Sequence, residues 1–274
     1  MKKINLNNFK ISNSEPFCLI AGPCVIENRN HTIKMAELIN EICQDLKINY
    51  IFKASFDKAN RSSSKSFRGV GLEKGLEILH EVKSIINCPI ITDVHNEHQC
   101  IEIGKNDIID IIQIPAFLSR QTDLLIAAGE TNKIVNVKKG QFLSPYDMSN
   151  IIEKILKTDN EKIMLTERGA SFGYNNLISD FRSIEIMKRL SYPVIFDATH
   201  SVQEPGGQGD KSGGKSEFVP VLSKAAIAVG VAGLFIETHD DPDNAPSDGS
   251  NMLKIKDLRN LLLTLKDLDN VSKF

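Results

Sequence analysis

Eight short apolar runs rich in β-branched residues, at 17–21, 50–54, 89–93, 109–114, 133–137, 162–166, 193–197 and 233–237, constrain this chain more than any other feature. Between them lie segments such as 32–46, 72–86, 147–156, 180–190, 217–229 and 256–268, whose apolar residues recur at helical spacing. Strands joined by helical crossovers run parallel, and near-continuous apolar strands imply burial on both faces. The choice is then between an open doubly wound sheet and a closed barrel, and eight repeats favour the (β/α)8 TIM barrel. With 274 residues, of which 41% are hydrophobic, the chain can build one large core. No composition shift or long linker divides it, so a single catalytic barrel domain over 1–274 is expected, with 1–16 a small polar N-terminal extension.

Charge narrows the function. Lysine and arginine total 33 against 35 acidic residues, a net of −2, without the basic excess that a nucleic-acid backbone demands. Met1 to Lys10 is polar, and the apolar stretch after Phe17 is broken by Gly22 and Pro23, so no secretory signal is expected. The longest apolar run, Ala225 to Ile236, is shorter than the ~20 residues of a bilayer-spanning helix, so no membrane partner is expected either. Five scattered cysteines suit a reducing compartment, and a cytoplasmic location follows as an expectation.

The one long irregular segment, 205–214, is glycine-rich. Gly206, Gly209, Lys211 and Ser212 suggest a phosphate loop, but Asp210 stands where a Walker loop needs glycine before its lysine. The segment reads instead as an active-site lid.

Nearly every strand candidate ends in a group able to bind an anion or a metal. Cys24 follows the first, Lys53 ends the second, and Asp93 and His95 close the third. Gln113 belongs to the fourth, Lys138 follows the fifth, Glu167 and Arg168 the sixth, His200 the seventh, and Glu237 ends the eighth. In a barrel these meet at the catalytic face. Lys53, Lys58, Arg61, Arg120, Lys138 and Arg168 are too many cations for one rim unless anions bind there: two phosphates, or a phosphate and a carboxylate. Cys24, His200, Glu237 and Asp248 form a second group, whose mixed thiolate, imidazole and carboxylate character suits one divalent Zn2+, Fe2+, Mn2+ or Co2+ ion.

These residues sit in motifs that resemble 3-deoxy-D-manno-octulosonate 8-phosphate synthases along essentially the whole chain. The matching stretches are Ala21-Gly-Pro-Cys24, Phe52-Lys-Ala-Ser-Phe-Asp-Lys-Ala-Asn-Arg-Ser-Ser63, Gln113-Ile-Pro-Ala-Phe117, Val137-Lys-Lys-Gly-Gln141, Glu167-Arg-Gly-Ala-Ser-Phe-Gly173, Phe196-Asp-Ala-Thr-His200 and Phe235-Ile-Glu-Thr-His239. The resemblance implies condensation of phosphoenolpyruvate with D-arabinose 5-phosphate. It implies that Lys53, Ser55, Lys58, Lys138 and Arg168 surround phosphoenolpyruvate, that Asn60, Arg61 and Ser62 hold the pentose phosphate, and that Gln113 and Ala116 line the substrates. It further implies a homotetramer in which Arg120 reaches a neighbouring subunit's site, and a role in lipopolysaccharide or plant cell-wall sugar synthesis. That family has a metal-independent branch with Asn where Cys24 stands, so Cys24 and the 205–214 segment resemble the metal-dependent branch. The residues flanking Asp248 in Ala245-Pro-Ser-Asp-Gly-Ser250 depart from the family pattern.

Lys138 is the expected acid for the developing alkoxide, Lys53 a further catalytic cation, and Asp93 or His95 the groups that orient water. The rival enzyme is the seven-carbon homologue that uses erythrose 4-phosphate. Lys58-Ala-Asn-Arg-Ser62 argues against it, because that family carries Pro-Arg-Thr after its lysine. A sugar-phosphate-binding barrel without activity would show a degraded cation ring or a lost metal ligand, and both sets are intact.

Overall fold

The protein is described by a computed structural model covering residues 1–60, 66–206 and 213–273. Arg61 and Ser62, with Gly209, Lys211 and Ser212 of the glycine-rich segment, lie outside the described residues.

Eight parallel strands close into a barrel: β1 (Cys18–Gly22), β2 (Asn49–Lys53), β3 (Ile90–Asp93), β4 (Ile111–Ile114), β5 (Ile134–Lys138), β6 (Ile163–Glu167), β7 (Val194–Asp197) and β8 (Gly233–His239). Each pairs with the next, and β8 pairs with both β7, through Ile195↔Gly233, and β1, through Gly233↔Cys18. The helices α1 (Arg29–Leu46), α2 (Leu72–Ile86), α3 (Glu97–Gly104), α4 (Thr122–Glu130), α5 (Met148–Leu156), α6 (Arg182–Lys188), α7 (Val219–Val229) and α8 (Ile255–Lys273) form the outer ring. All eight strand candidates are strands, with ends displaced by one or two residues. None of the described helices is long and apolar enough to cross a membrane.

The outward faces of the strands and the inner stripes of the helices make the larger core, from Leu19 and Phe52 round to Leu262. Residues pointing into the barrel, including Ile20, Ile51, Ile91, Ile111, Met164 and Ile195, make a second cluster. The first residues correct the expectation of a polar extension. Ile4–Leu6 and Phe9–Ile11 form an antiparallel hairpin, turned at Asn7 with φ of 50°. Its buried Ile4, Leu6 and Ile11 join the inner cluster and close the floor of the barrel, while the intervening polar residues face outward. At the other chain end, the Asp269 carboxylate accepts the Phe17 amide at 2.9 Å and pairs with Lys273 at 2.8 Å, tying α8 to the entry of β1.

Candidate active site

The rim opposite that floor is built by close approaches between strand ends. A side chain at Gly22 would stand 2.0 Å from the Lys53 carbonyl, so only glycine lets the turn after β1 lie against β2 and bring Cys24 inward. Behind β8, Asp248 adopts a left-handed backbone with φ of 51°, a conformation that aspartate tolerates better than most residues. Its carbonyl accepts the Asn251 amide at 2.9 Å, which closes the loop.

Two buried charge clusters occupy the mouth. In the first, Lys53 donates to Glu237 Oε1 at 2.9 Å and lies 3.4 Å from Asp93. Burial pushes the ammonium toward its neutral form, but Asp93 and Glu237 outweigh it and hold its pKa well above the ordinary value. Asp93 resists the same burial because Lys53 and Lys58 face it, and its carboxyl lies well below the usual range. It also accepts from Ser55 Oγ and, at 2.5 Å, from Gln113 Nε2. Behind Gln113, Asn136 donates to its Oε1 at 3.0 Å and Thr166 donates to Asn136 at 2.7 Å, so every amide and hydroxyl dipole in the row points toward Asp93.

In the second cluster, Asp197 accepts from Lys138 at 2.7 Å and contacts His200 Nδ1 at 2.8 Å. Asp197 thus holds the imidazole with Nε2 turned toward Glu237 Oε2, 3.6 Å away. Although burial alone would raise it, His200 and Lys138 hold the Asp197 carboxyl far below its usual range. Lys138 lies 3.8 Å above the Phe235 ring, and burial lowers its pKa despite the attraction of Asp197. Phe196-Asp-Ala-Thr-His200 already carried this Asp-x-x-His spacing, but Asp197 was not singled out there.

Of the four candidate metal ligands, Cys24, Glu237 and Asp248 bring their donor atoms within 4.8 Å of one another. His200 meets the group through Glu237. The Cys24 thiol, pushed well up by burial and the Glu237 charge, donates to Asp248 Oδ2 at 3.1 Å and contacts Ser247 Oγ at 2.9 Å. Glu237 Oε2 is buried with no hydrogen-bond partner among the described residues. A buried carboxylate oxygen left in that state costs roughly 1–3 kcal/mol, and a cation beside it would remove the penalty. The donor set therefore fits a divalent ion. Glu27, His31 and His239 form another compact group nearby. There His239 Nδ1 accepts the Asp241 amide at 2.9 Å and Nε2 faces Glu27 at 2.7 Å, which a neutral imidazole satisfies as a hydrogen-bond bridge.

Above these clusters opens a cleft of about 750 Å³, with Lys58, Asn60, His95, Ala116, Lys138 and Arg168 on its walls. Arg168 is the informative member. It is 3% exposed, one nitrogen donates to Gln203 Oε1 at 3.0 Å, and its Nε and second terminal nitrogen have no partner among the described residues. His95 is fixed by Gln99, which accepts its amide at 2.7 Å, and burial lowers its pKa. Ser55 and Gln113 do not line the cleft, because their side chains are turned onto Asp93. Glu167 is also internal, accepting the Arg168 and Gly169 amides at 3.0 and 2.7 Å and the Ser183 hydroxyl at 2.5 Å. Arg120 is exposed and does not line the cleft of its own chain. Gln141 and Gln203, neither singled out from the sequence, do line it, and Gln141 Oε1 is buried without a partner. Unlike Gln113, neither stands at the end of a strand candidate, the position that marked the other rim groups.

A closed (β/α)8 barrel whose catalytic face carries a buried, incompletely paired arginine beside a cation-ready thiol–carboxylate group defines the class: a barrel enzyme that handles anionic substrates. The chain belongs to the DAHP synthetase I family, which matches residues 2–273. It is 57% identical over 274 residues to the 2-dehydro-3-deoxyphosphooctonate aldolase of Rickettsia prowazekii, covering 100% of this chain and 99% of that protein. The Rickettsia typhi protein of the same name is also 57% identical over 274 residues, with the same coverage. That of Bartonella quintana is 54% identical over 270 residues, or 98% of this chain and 96% of the relative.

Proposed function

We propose that this chain condenses phosphoenolpyruvate with D-arabinose 5-phosphate and water, yielding 3-deoxy-D-manno-octulosonate 8-phosphate and phosphate. The relatives' name denotes enzymes of this eight-carbon product, and they, with Lys58-Ala-Asn-Arg-Ser62, favour it over the seven-carbon alternative. The observation that carries the reading is the buried guanidinium of Arg168, with two donors unpartnered among the described residues, beside Lys138 in the same cleft.

The enol C3 of phosphoenolpyruvate attacks the aldehyde carbon, and positive charge grows at C2. Water adds at C2 and loses a proton, and the resulting phosphohemiketal collapses with C–O cleavage to release phosphate. Arg168, Lys138 and Lys58 hold two polyanions together against their repulsion, which is the entropic and electrostatic task of the site. Lys138 donates the proton that the aldehyde oxygen needs. Its lowered pKa supports that role, because an ammonium shifted toward neutrality releases a proton more readily. His95, on the cleft wall, orients the incoming water, while Asp93 fixes Lys53 from below. Cys24, His200, Glu237 and Asp248 would hold one Zn2+, Fe2+, Mn2+ or Co2+ ion, which when bound supplies Lewis acidity to a reacting oxygen. Exposure of Arg120, away from its own cleft, supports its service to a neighbouring subunit of a homotetramer. The enzyme would work in the cytoplasm, where the five free cysteines stay reduced.

The test supplies phosphoenolpyruvate with either arabinose 5-phosphate or erythrose 4-phosphate and measures both phosphate release and the mass of the sugar acid. Turnover tenfold faster with erythrose 4-phosphate would overturn the assignment. Full activity after verified removal of all metal, by elemental analysis, would overturn the metal requirement.

A further inference from the structure

Gln203 lies in the cleft wall between the two halves of the site and touches both. Its Oε1 accepts from the Arg168 guanidinium at 3.0 Å, and its Nε2 donates to Asp248 Oδ1 at 3.1 Å. A primary amide is suited to this place because it presents an acceptor to a cation at one end and a donor to a carboxylate at the other. On Arg168, the bond occupies one terminal nitrogen, while Nε and the other terminal nitrogen have no partner among the described residues. On Asp248, it engages Oδ1 and leaves Oδ2 as the oxygen that meets the Cys24 thiol at 3.1 Å.

The residue is held by backbone on both sides. Gln203–Glu204 pairs with Gly213–Gly214, and a side chain at Gly214 would come within 1.3 Å of the Asn251 Oδ1 atom, so this small ladder lies directly on the Asp248 loop. The Ser216 amide donates to the Ser250 carbonyl at 3.2 Å, joining the two segments again.

We propose that Gln203 is a positioning residue that couples the anion-binding fork of Arg168 to the metal-binding carboxylate of Asp248. Through it, seating of the phosphoenolpyruvate anion and seating of the divalent ion strengthen each other. The inference rests on the function proposed above. Linkage makes the coupling reciprocal: whatever factor the ion contributes to phosphoenolpyruvate affinity, phosphoenolpyruvate contributes to ion affinity.

The experiment uses full-length metal-depleted protein, titrated with Co2+ and followed by the thiolate-to-cobalt absorption of Cys24, without and with saturating phosphoenolpyruvate. Calorimetry measures phosphoenolpyruvate binding with and without Co2+. Gln203→Met keeps the length of the side chain and removes both bonds. It should weaken Co2+ on the order of tenfold, the usual effect of losing a ligand's outer hydrogen bond, and reduce the mutual enhancement seen in the wild type. Glu204→Gln is the control: it disturbs the same ladder by breaking the 2.8 Å Lys215–Glu204 ion pair but leaves the bridge alone, so both affinities should stay as in the wild type. Unchanged Co2+ affinity and unchanged enhancement in Gln203→Met would overturn the proposal. Equal losses in Glu204→Gln would also overturn it, by assigning the effect to ladder packing. A wild type that binds no Co2+ would remove the metal reading itself, and the bridge with it.

Discussion

Arg168→Met should make the substrate-free protein more stable while destroying its affinity for phosphoenolpyruvate. Arginine at this position is nearly fully buried, and two of its donors have no partner among the described residues. Burial outweighs the attraction of Asp197, Glu167 and Asp248 and holds the guanidinium below its ordinary pKa, so carrying the charge here is a net cost. Removing two unsatisfied buried donors returns about 1–3 kcal/mol each. Against this stands the loss of the Gln203 bond, about 1.5–3 kcal/mol for a bond from a charged group, and of carboxylate attractions that burial already outweighs. The balance is a gain of about 1–2 kcal/mol, or an increase in Tm of about 2–8 °C for a chain of this size.

Binding moves the other way. Two charge-assisted hydrogen bonds to an anion are lost, at about 1.5–3 kcal/mol each, which weakens phosphoenolpyruvate by about 10²-fold or more. Scanning calorimetry of metal-free protein gives the first quantity. Ligand at 100 times its Kd should stabilise the wild type by about 2.7 kcal/mol and leave the variant unmoved. A Tm that falls by more than ~2 °C in Arg168→Met would show that the fork is satisfied in the free protein, and the argument for an anion at that point would fail.

Three further outcomes are expected. Asp93→Asn should destabilise the protein by about 3 kcal/mol at neutral pH, the low end for a broken buried pair because Lys53 keeps Glu237 at 2.9 Å. Since the native Asp93 pKa is depressed, its contribution is present above the unfolded value of ~3.9 and is lost as pH falls. Denaturant midpoints of wild type and variant should therefore converge on acidification. Ile11→Ala should cost about 2–4 kcal/mol by opening a cavity in the barrel floor while kcat stays within twofold, read from paired denaturation and turnover assays. Cys24→Ser should retain the fold by circular dichroism and lose metal affinity by more than about tenfold, measured by competitive chelation.

The barrel itself was legible because its signal is redundant. Each strand is a short apolar run, and closure follows from their number. Helices α3 and α4 were less readable because their apolar residues are not gathered in one stripe, whereas α5, no longer than α4, carries a clear one. Asn96 was nonetheless a readable start signal, since its side chain accepts the Gln99 amide at 3.0 Å. The N-terminal hairpin was also readable, in Ile4-Asn-Leu6 and Phe9-Lys-Ile11 around an Asn-Asn turn, but polar composition masked an alternation of period two. Cys24, Glu237 and Asp248 converge as their chemistry suggested. Gln141, Gln203 and Asp197 did not stand out, because partnership in a network is a property of geometry that residue type alone does not encode.

The same distinction revises the idea that every rim cation awaits a substrate anion. Lys53 is already neutralised between Glu237 and Asp93, and Lys138 has Asp197 beneath it. These inner pairs fix the mouth of the barrel and set the charge states of their members before any ligand arrives. Arg168 differs, since two of its donors have no partner among the described residues and burial works against its charge. A site with every cation paired would be more stable and would bind phosphoenolpyruvate poorly, because each pair would have to break first.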